Sequence, residues 1–162
     1  MDRKQKVLEK LSELNILYEI IHHPPVFTIE EIDLLGLDEQ GEIVKNLFLR
    51  DDRGKNHYLV VLEKSKKADL VKLRGILGST KLGFASEERL EKYLDLTKGS
   101  VSPLGIINDK TGVVNVVFDK DLMDRDRLGV HPNDNTATIF LAFKDLKRIV
   151  EANGNNIIYA QI

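Results

Sequence analysis

The 162-residue chain contains no cysteine, which removes disulfides, thiolate zinc sites and cysteine nucleophiles together and leaves the redox compartment open. No apolar run approaches the ~18 residues of a membrane span. The opening Met1-Asp2-Arg3-Lys4-Gln5-Lys6 lacks the apolar stretch of a signal peptide, so a cytoplasmic protein with no membrane attachment is expected. A basic excess is missing too: 24 Lys and Arg stand against 26 Asp and Glu, for a net charge of −2. A protein that wraps many phosphates carries a positive surplus, so any RNA partner must be held by a local patch. Gly75-Ile76-Leu77-Gly78 is not a Gly-x-Gly-x-x-Gly fingerprint and no Walker sequence occurs, so neither ATP nor NAD is expected, nor any other cofactor. His22 and His23 are adjacent but have no third ligand nearby and no His-Glu-x-x-His spacing, so no metal site is expected. DNA binding finds neither a basic helix nor a helix-turn-helix.

What is present describes one globular domain over residues 1–162, with 42% hydrophobic and 31% charged residues and no repeat, low-complexity tract or linker. Residues 4–14 predict an amphipathic helix with Val7, Leu8, Leu11 and Leu14 on one face. Leu17–Ile21 predicts a strand ending at His22-His23-Pro24-Pro25. Thr28-Ile29-Glu30-Glu31 has the form of a capping box, with Phe27 and Ile32 placed as a hydrophobic staple and Gly36 as the helix stop. Asp51–Asn56 predicts a hairpin turn between two apolar runs. The second run, His57–Leu62, is too continuous for a half-exposed strand, with His57 at its end as a surface or hydrogen-bonded residue. A helix is predicted near 68–73 and another after Ser86. Further strands are expected at 113–118, 136–143 and 157–161, with a helix over 145–153 stopped by Gly154. This irregular order argues for α+β architecture or a mixed sheet, and against a doubly wound parallel one.

Three stretches carry polar groups among apolar ones. In Val44-Lys45-Asn46-Leu47-Phe48-Leu49 a cation and an amide interrupt a largely buried segment, a costly placement unless the ammonium reaches solvent, an anion or several acceptors. In residues 98–109 Gly99 offers backbone freedom and Pro103 rigidity, which predicts a stiff turn with exposed amides and carbonyls. Val130-His131-Pro132-Asn133-Asp134-Asn135-Thr136-Ala137-Thr138 is a polar loop entering a strand. Structural readings stand beside each: a snorkelling lysine, an ordinary connection and a simple helix cap at Thr28. The basic segment Lys64, Lys66 and Lys67, with Lys72, Arg74 and Lys81, supplies the best candidates for phosphate contact, although charge runs are usually solvated faces.

Taken together, Lys45-Asn46, Gly99-x-x-x-Pro103 and His131-Pro132 followed by Asn135-Thr136-Ala137-Thr138 resemble the YbaK/ProX family, the editing domains associated with prolyl-tRNA synthetase. His23-Pro24-Pro25-Val26-Phe27-Thr28 and Phe84-Ala85-Ser86-Glu87-Glu88-Arg89-Leu90 extend the likeness over nearly the whole chain, and it is greatest to the free-standing branch that deacylates alanyl-tRNA(Pro). The resemblance implies an α+β fold with a curved mixed sheet approaching a barrel, surrounded by helices. It also implies a metal-independent trans-editing hydrolase that acts on the acceptor end of mischarged tRNA(Pro) and spares prolyl-tRNA(Pro), with prolyl-tRNA synthetase as a further candidate partner. Two alternatives remain open: a deacylase for another small amino acid such as cysteine, and a non-catalytic module that binds aminoacyl-tRNA ends.

Hydrolysing an aminoacyl ester requires a placed water and stabilisation of the charge growing on the carbonyl oxygen. Lys45 is the candidate cation, Asn46 the candidate orienting amide, and the Gly99 carbonyl a candidate holder of ammonium or water carried over from the family. His131 is a candidate positioning residue for ribose or proton. Thr28, Ile32, Leu35, Ser100, Ser102, Pro103 and Val130 are candidate substrate contacts, Thr28 as a pocket rim by resemblance. A Ser-His-Asp arrangement built on Ser100 or Ser102 lacks a nucleophile-elbow pattern.

Overall fold

The computed structural model describes residues 2–162. Helix α1 (Arg3–Glu13) is capped by Asp2, whose side chain accepts from the Gln5 amide, and it buries Val7 and Leu11. Strand β1 (Glu19–His22) leads to α2 (Ile29–Leu34), where Thr28 Oγ1 accepts from the Glu31 amide. A 3₁₀ turn at Leu37–Glu39 precedes β2 (Glu42–Arg50), which hairpins into β3 (His57–Glu63). Then come α3 (Leu70–Leu77), β4 (Gly83–Phe84) and α4 (Glu87–Leu94), the two helices capped by Asp69 and Ser86. A 3₁₀ segment (Pro103–Asn108), β5 (Asn115–Asp119), a 3₁₀ turn (Lys120–Leu122), β6 (Leu128–Val130), β7 (Ala137–Leu141), α5 (Phe143–Asn153) and β8 (Ile157–Ala160) complete the chain.

The strands form one mixed sheet in the order β1-β7-β6-β2-β3-β5-β8, with β4 attached to β2; it does not close, and β1 and β8 stand at its ends. Helices cover both faces. Leu59, Val61, Val116 and Phe118 belong to the main core with α1, α4 and α5, while Val60, Leu62 and Val117 pack on the opposite side with Leu73 of α3. That two-sided cover is why every residue from His57 to Leu62 is buried. A small third cluster, Val26, Ile32, Leu37, Ile43 and Phe140, seats α2.

One detail of pairing prepares the site. Along one edge β2 pairs with β3 from Val44 to Arg50. Along the other, β6 takes only Glu42 and Ile43 in parallel, and β4 takes only Leu49 and Arg50 in antiparallel. Between Ile43 and Leu49 that second edge has no strand beside it, and since the Phe48 carbonyl accepts from the Ala85 amide at 2.9 Å the sheet is parted at Val44–Leu47.

The helices over 145–153 and after Ser86 fall where periodicity places them, α5 beginning two residues early. Four expectations need correction. The first strand starts at Glu19, and Leu17 is left 88% exposed. Strands β4 and β6, of two and three residues, were not anticipated; they are too short to show alternation. Residues 103–107 are buried and form a 3₁₀ segment, contrary to the exposed turn expected there. Of the two settings expected for His57, the hydrogen-bonded one holds: it is buried, its Nε2 3.0 Å from Arg89 Nη1 and its ring 4.1 Å from that of Tyr93. Finally, Phe27 is exposed and Val26 shares the cluster of Ile32, so the expected staple is not made by Phe27.

Candidate active site

The parted sheet opens into a cavity of about 260 Å³ roofed by α2. Five consecutive residues of β2, Ile43 to Leu47, line it together with Thr28, Ile32, Gly99, Val130, His131 and Thr138. Successive strand residues point to opposite faces, so five in a row can line one cavity only where a strand edge is open, as it is here. The sequence candidates Lys45, Asn46, Gly99, His131, Thr28, Ile32 and Val130 are thus brought together from four separate segments.

Each polar group in the cavity has a defined setting. Lys45 Nζ donates to the carbonyl of Lys66, and burial together with the nearby Lys67 charge holds its pKa below the ordinary lysine value. Asn46 Nδ2 donates to the Val101 carbonyl at 3.2 Å, while its Oδ1, buried, has no partner among the described residues. A buried acceptor without a donor is costly, and here it borders a cavity from which a ligand could supply one. His131 Nδ1 lies 3.0 Å from the Ala137 carbonyl, so it carries the proton and leaves Nε2 as an acceptor. Burial pushes the His131 pKa down and the neighbouring His23 lowers it further, against raising by the Ala137 hydrogen bond and Asp134. The imidazole is therefore held toward its neutral form. His23 itself is bound by Thr138, Nε2 to Oγ1 at 2.9 Å.

The glycines explain the close approach of the walls. Gly99 has φ of 92°, and a Cβ there would lie 3.0 Å from Phe27 Cδ1. At Gly129 a Cβ would meet Ile43 Cδ1 at 2.4 Å. Gly99 is among the site residues predicted from the sequence; Gly129, Val26, Phe27, Ile29, Ile43, Val44, Leu47, Val101 and Thr138 also line the cavity and are not. The only signal for Ile43, Val44 and Leu47 was their position beside Lys45-Asn46.

Other candidates lie elsewhere. Leu35 sits past the end of α2, 40% exposed, where Gly36 carries the chain away in a left-handed turn, and it does not line the cavity. Ser100, Ser102 and Pro103 are buried and do not line it either. Ser102 Oγ accepts from the Leu104 amide, capping the 3₁₀ segment, and donates to the backbone carbonyl of His131. That bond to carbonyl and not to the ring removes the Ser-His arrangement at Ser102. Among the basic residues, Lys64 pairs with Asp33 and Asp38, and Lys66 with Asp119 and Asp121. Their ammonium groups are already ion-paired, unlike the cationic groups of Lys67, Lys72, Arg74 and Lys81, which are exposed and have no ion pair among the described residues. No group of three His, Asp or Glu among the described residues could hold a metal ion. No described helix is long and apolar enough to cross a membrane.

Fold and cavity together define an α+β domain with a sheet opening furnished with one cation, one amide oxygen unsatisfied among the described residues and one imidazole held toward its neutral form. The chain belongs to the aminoacyl-tRNA editing domain family, whose profile matches residues 23–149. It is 57% identical over 155 residues to the prolyl-tRNA editing protein ProX of Acetoanaerobium sticklandii, covering 96% of this chain and 94% of that protein. It is 34% identical over 155 residues to a prolyl-tRNA synthetase associated domain-containing protein of Mus musculus, covering 93% and 90%. The fold is shared with a crystal structure of a candidate trans-editing enzyme for prolyl tRNA synthetase, with a TM-score of 0.74 at 20% identity over 98% and 96% of the two chains.

Proposed function

We propose that the protein is a trans-editing hydrolase that cleaves the ester of alanyl-tRNA(Pro) and spares prolyl-tRNA(Pro). The observation that carries the reading is the unpartnered Oδ1 of Asn46 at a cavity that also holds Lys45 and His131. An aminoacyl ester offers a donor for that oxygen in its α-ammonium, an acceptor for Lys45 in its carbonyl, and a hydroxyl for His131 Nε2 on its ribose.

In this reading Asn46 Oδ1 receives the ammonium, and the Gly99 carbonyl holds the attacking water. Water adds to the acyl carbon, and the Lys45 cation stabilises the oxyanion that forms. The intermediate collapses, the ester C–O bond breaks, and the water's proton ends on the departing ribose oxygen. The products are free alanine and tRNA with an intact terminal ribose. His131, hydrogen-bonded to the ribose, fixes the ester against the water, a matter of positioning before proton transfer.

Selectivity follows from the walls. Val26, Ile32, Ile43 and Val130 are apolar and mostly immobilised by the core. One methyl adds little favourable binding, so exclusion of the bulkier proline ring is the effective device. At about 260 Å³ the cavity is smaller than the ~300–1,000 Å³ typical of drug-sized ligands, which suits an acylated ribose and leaves the rest of the tRNA outside. Lys67, Lys72, Arg74 and Lys81, exposed and without an ion pair among the described residues, are candidate cations for its phosphates. The tRNA(Pro) acceptor end is the partner, with prolyl-tRNA synthetase as a candidate second one and the cytoplasm as the place of action.

The test is a hydrolysis panel of alanyl, cysteinyl, seryl and prolyl esters on one tRNA(Pro). Release of alanine with sparing of proline is expected. Stoichiometric binding without ester loss would replace the hydrolase by a binding module.

A further inference from the structure

The turn after β3 is braced from three sides, and the bracing ends on Lys45. Lys66 N donates to the Glu63 carbonyl at 3.0 Å, which closes the turn. Asp119, at the end of β5 and with no exposed surface, accepts from Glu63 N at 3.2 Å and from Lys66 Nζ at 3.0 Å. Asp121 takes the same ammonium at 2.6 Å, and its own amide donates to Asp119 Oδ1 at 3.1 Å. Lys64, one step into the turn, ties it to Asp33 of α2, the helix that roofs the cavity. The backbone carbonyl presented by this turn is that of Lys66, and Lys45 Nζ donates to it.

A lysine ammonium rides on a flexible four-carbon stem and takes its position from whatever accepts its protons. Among the described residues, Lys45 has one such acceptor, the Lys66 carbonyl. A carboxylate buried outright is held only where it is paired and hydrogen-bonded, and Asp119 is both. We propose that Asp119, through Lys66, is a positioning residue for Lys45: it fixes the carbonyl that aims the ammonium into the cavity. The two lysines that look most like phosphate contacts in the sequence are then parts of a frame. The proposal rests on the hydrolase reading for its kinetic consequence, and its spectroscopic arm stands without that reading.

Lys66→Met keeps the backbone carbonyl and removes the clamp. In single-turnover hydrolysis of alanyl-tRNA(Pro), the rate constant at saturating enzyme should fall about tenfold, since small misplacements of a reacting group cost factors of this order. The half-saturating concentration should stay unchanged, and Lys66→Arg should recover most of the rate. Asp121→Asn, at the protein surface, should act in the same direction more weakly and guards against a failure of Lys66→Met to fold. The second readout is NMR of protein labelled at the lysine ε-carbons, the Lys45 signal being assigned by its loss in Lys45→Ala. Its shift should move in Lys66→Met and return in Lys66→Arg. Wild-type rates in a folded Lys66→Met protein, or a loss confined to half-saturation as a phosphate contact would give, would overturn the proposal. If the wild-type protein cleaves no ester, the hydrolase reading fails, and an unmoved Lys45 signal in Lys66→Met would then sink the positioning role separately.

Discussion

Two polar segments flank the cavity and use their polar groups in opposite ways. Lys45-Asn46 sits in the middle of a strand, and its side chains are offered to the cavity because the neighbouring edge is open. The loop from Gly99 to Pro103 is richer in hydroxyls and turn residues, yet Ser102 spends its hydroxyl on the Leu104 amide and the His131 carbonyl, and Pro103 is buried. What the loop offers the cavity is backbone: Gly99 and Val101 line it, and the Val101 carbonyl orients Asn46. The strand therefore presents side chains to the cavity and the loop presents backbone, the reverse of what a count of polar residues suggests.

The contrast breaks first at Lys45. Lys45→Ala should lower the single-turnover rate on alanyl-tRNA(Pro) by about 100-fold or more, the scale of losing a group that stabilises an oxyanion, with the thermal midpoint nearly unchanged. A folded Lys45→Ala protein with full activity would take the cation out of the mechanism. Asn46→Ala should come next, at roughly tenfold, because an acceptor for the substrate is lost while the removed oxygen had no partner among the described residues. Stability should hold or rise slightly in a denaturant titration.

Ser102→Ala should behave in the opposite sense. Loss of a cap typically costs about 1 kcal/mol, which for a chain of this length lowers the thermal midpoint by about 2–4 °C, with a rate loss smaller than that of Asn46→Ala. A large rate loss without destabilisation would place the hydroxyl in the cavity after all.

The pH profile sharpens the same division. Lys45 has its pKa lowered by burial and Lys67, so activity should fall on the alkaline side before the ordinary lysine value of about 10.4. His131 is held neutral by burial, so the acid limb should lie below the ordinary value of about 6.5. Folded-state pKa values are also lowered at His57, mainly by burial and then by Arg89. A histidine lowered on folding binds fewer protons folded than unfolded, so stability rises with pH between the folded value and about 6.5. The smallest expected effect is accordingly a lower unfolding midpoint near pH 5 than near pH 7, read by thermal denaturation.

Much of the architecture was legible locally. The caps at Thr28 and Ser86, the stops at Gly36 and Gly154, the Asp51–Asn56 hairpin and the buried run of β3 all follow from short-range rules that need no partner. The site was legible only as a set of residues that resemble a family. Whether a hydroxyl faces a ligand or a backbone carbonyl depends on atoms far along the chain, and Ser102 and His131 are 29 positions apart. The same holds for Lys64 and Lys66, whose partners Asp33, Asp38, Asp119 and Asp121 come from α2, the 3₁₀ turn after it, the end of β5 and the 3₁₀ turn that follows β5.

By itself, then, the sequence determined the class of fold, most of its helices and strands, and the presence of a lysine and an amide in an apolar strand, because propensity, capping and periodicity act over a few residues. Tertiary structure alone decided that β6 and β4 leave the middle of β2 uncovered, that the loop turns its hydroxyls inward, and that two lysines are consumed by carboxylates. Those outcomes depend on which distant groups meet, and a strand edge is open or closed only once its neighbours are in place.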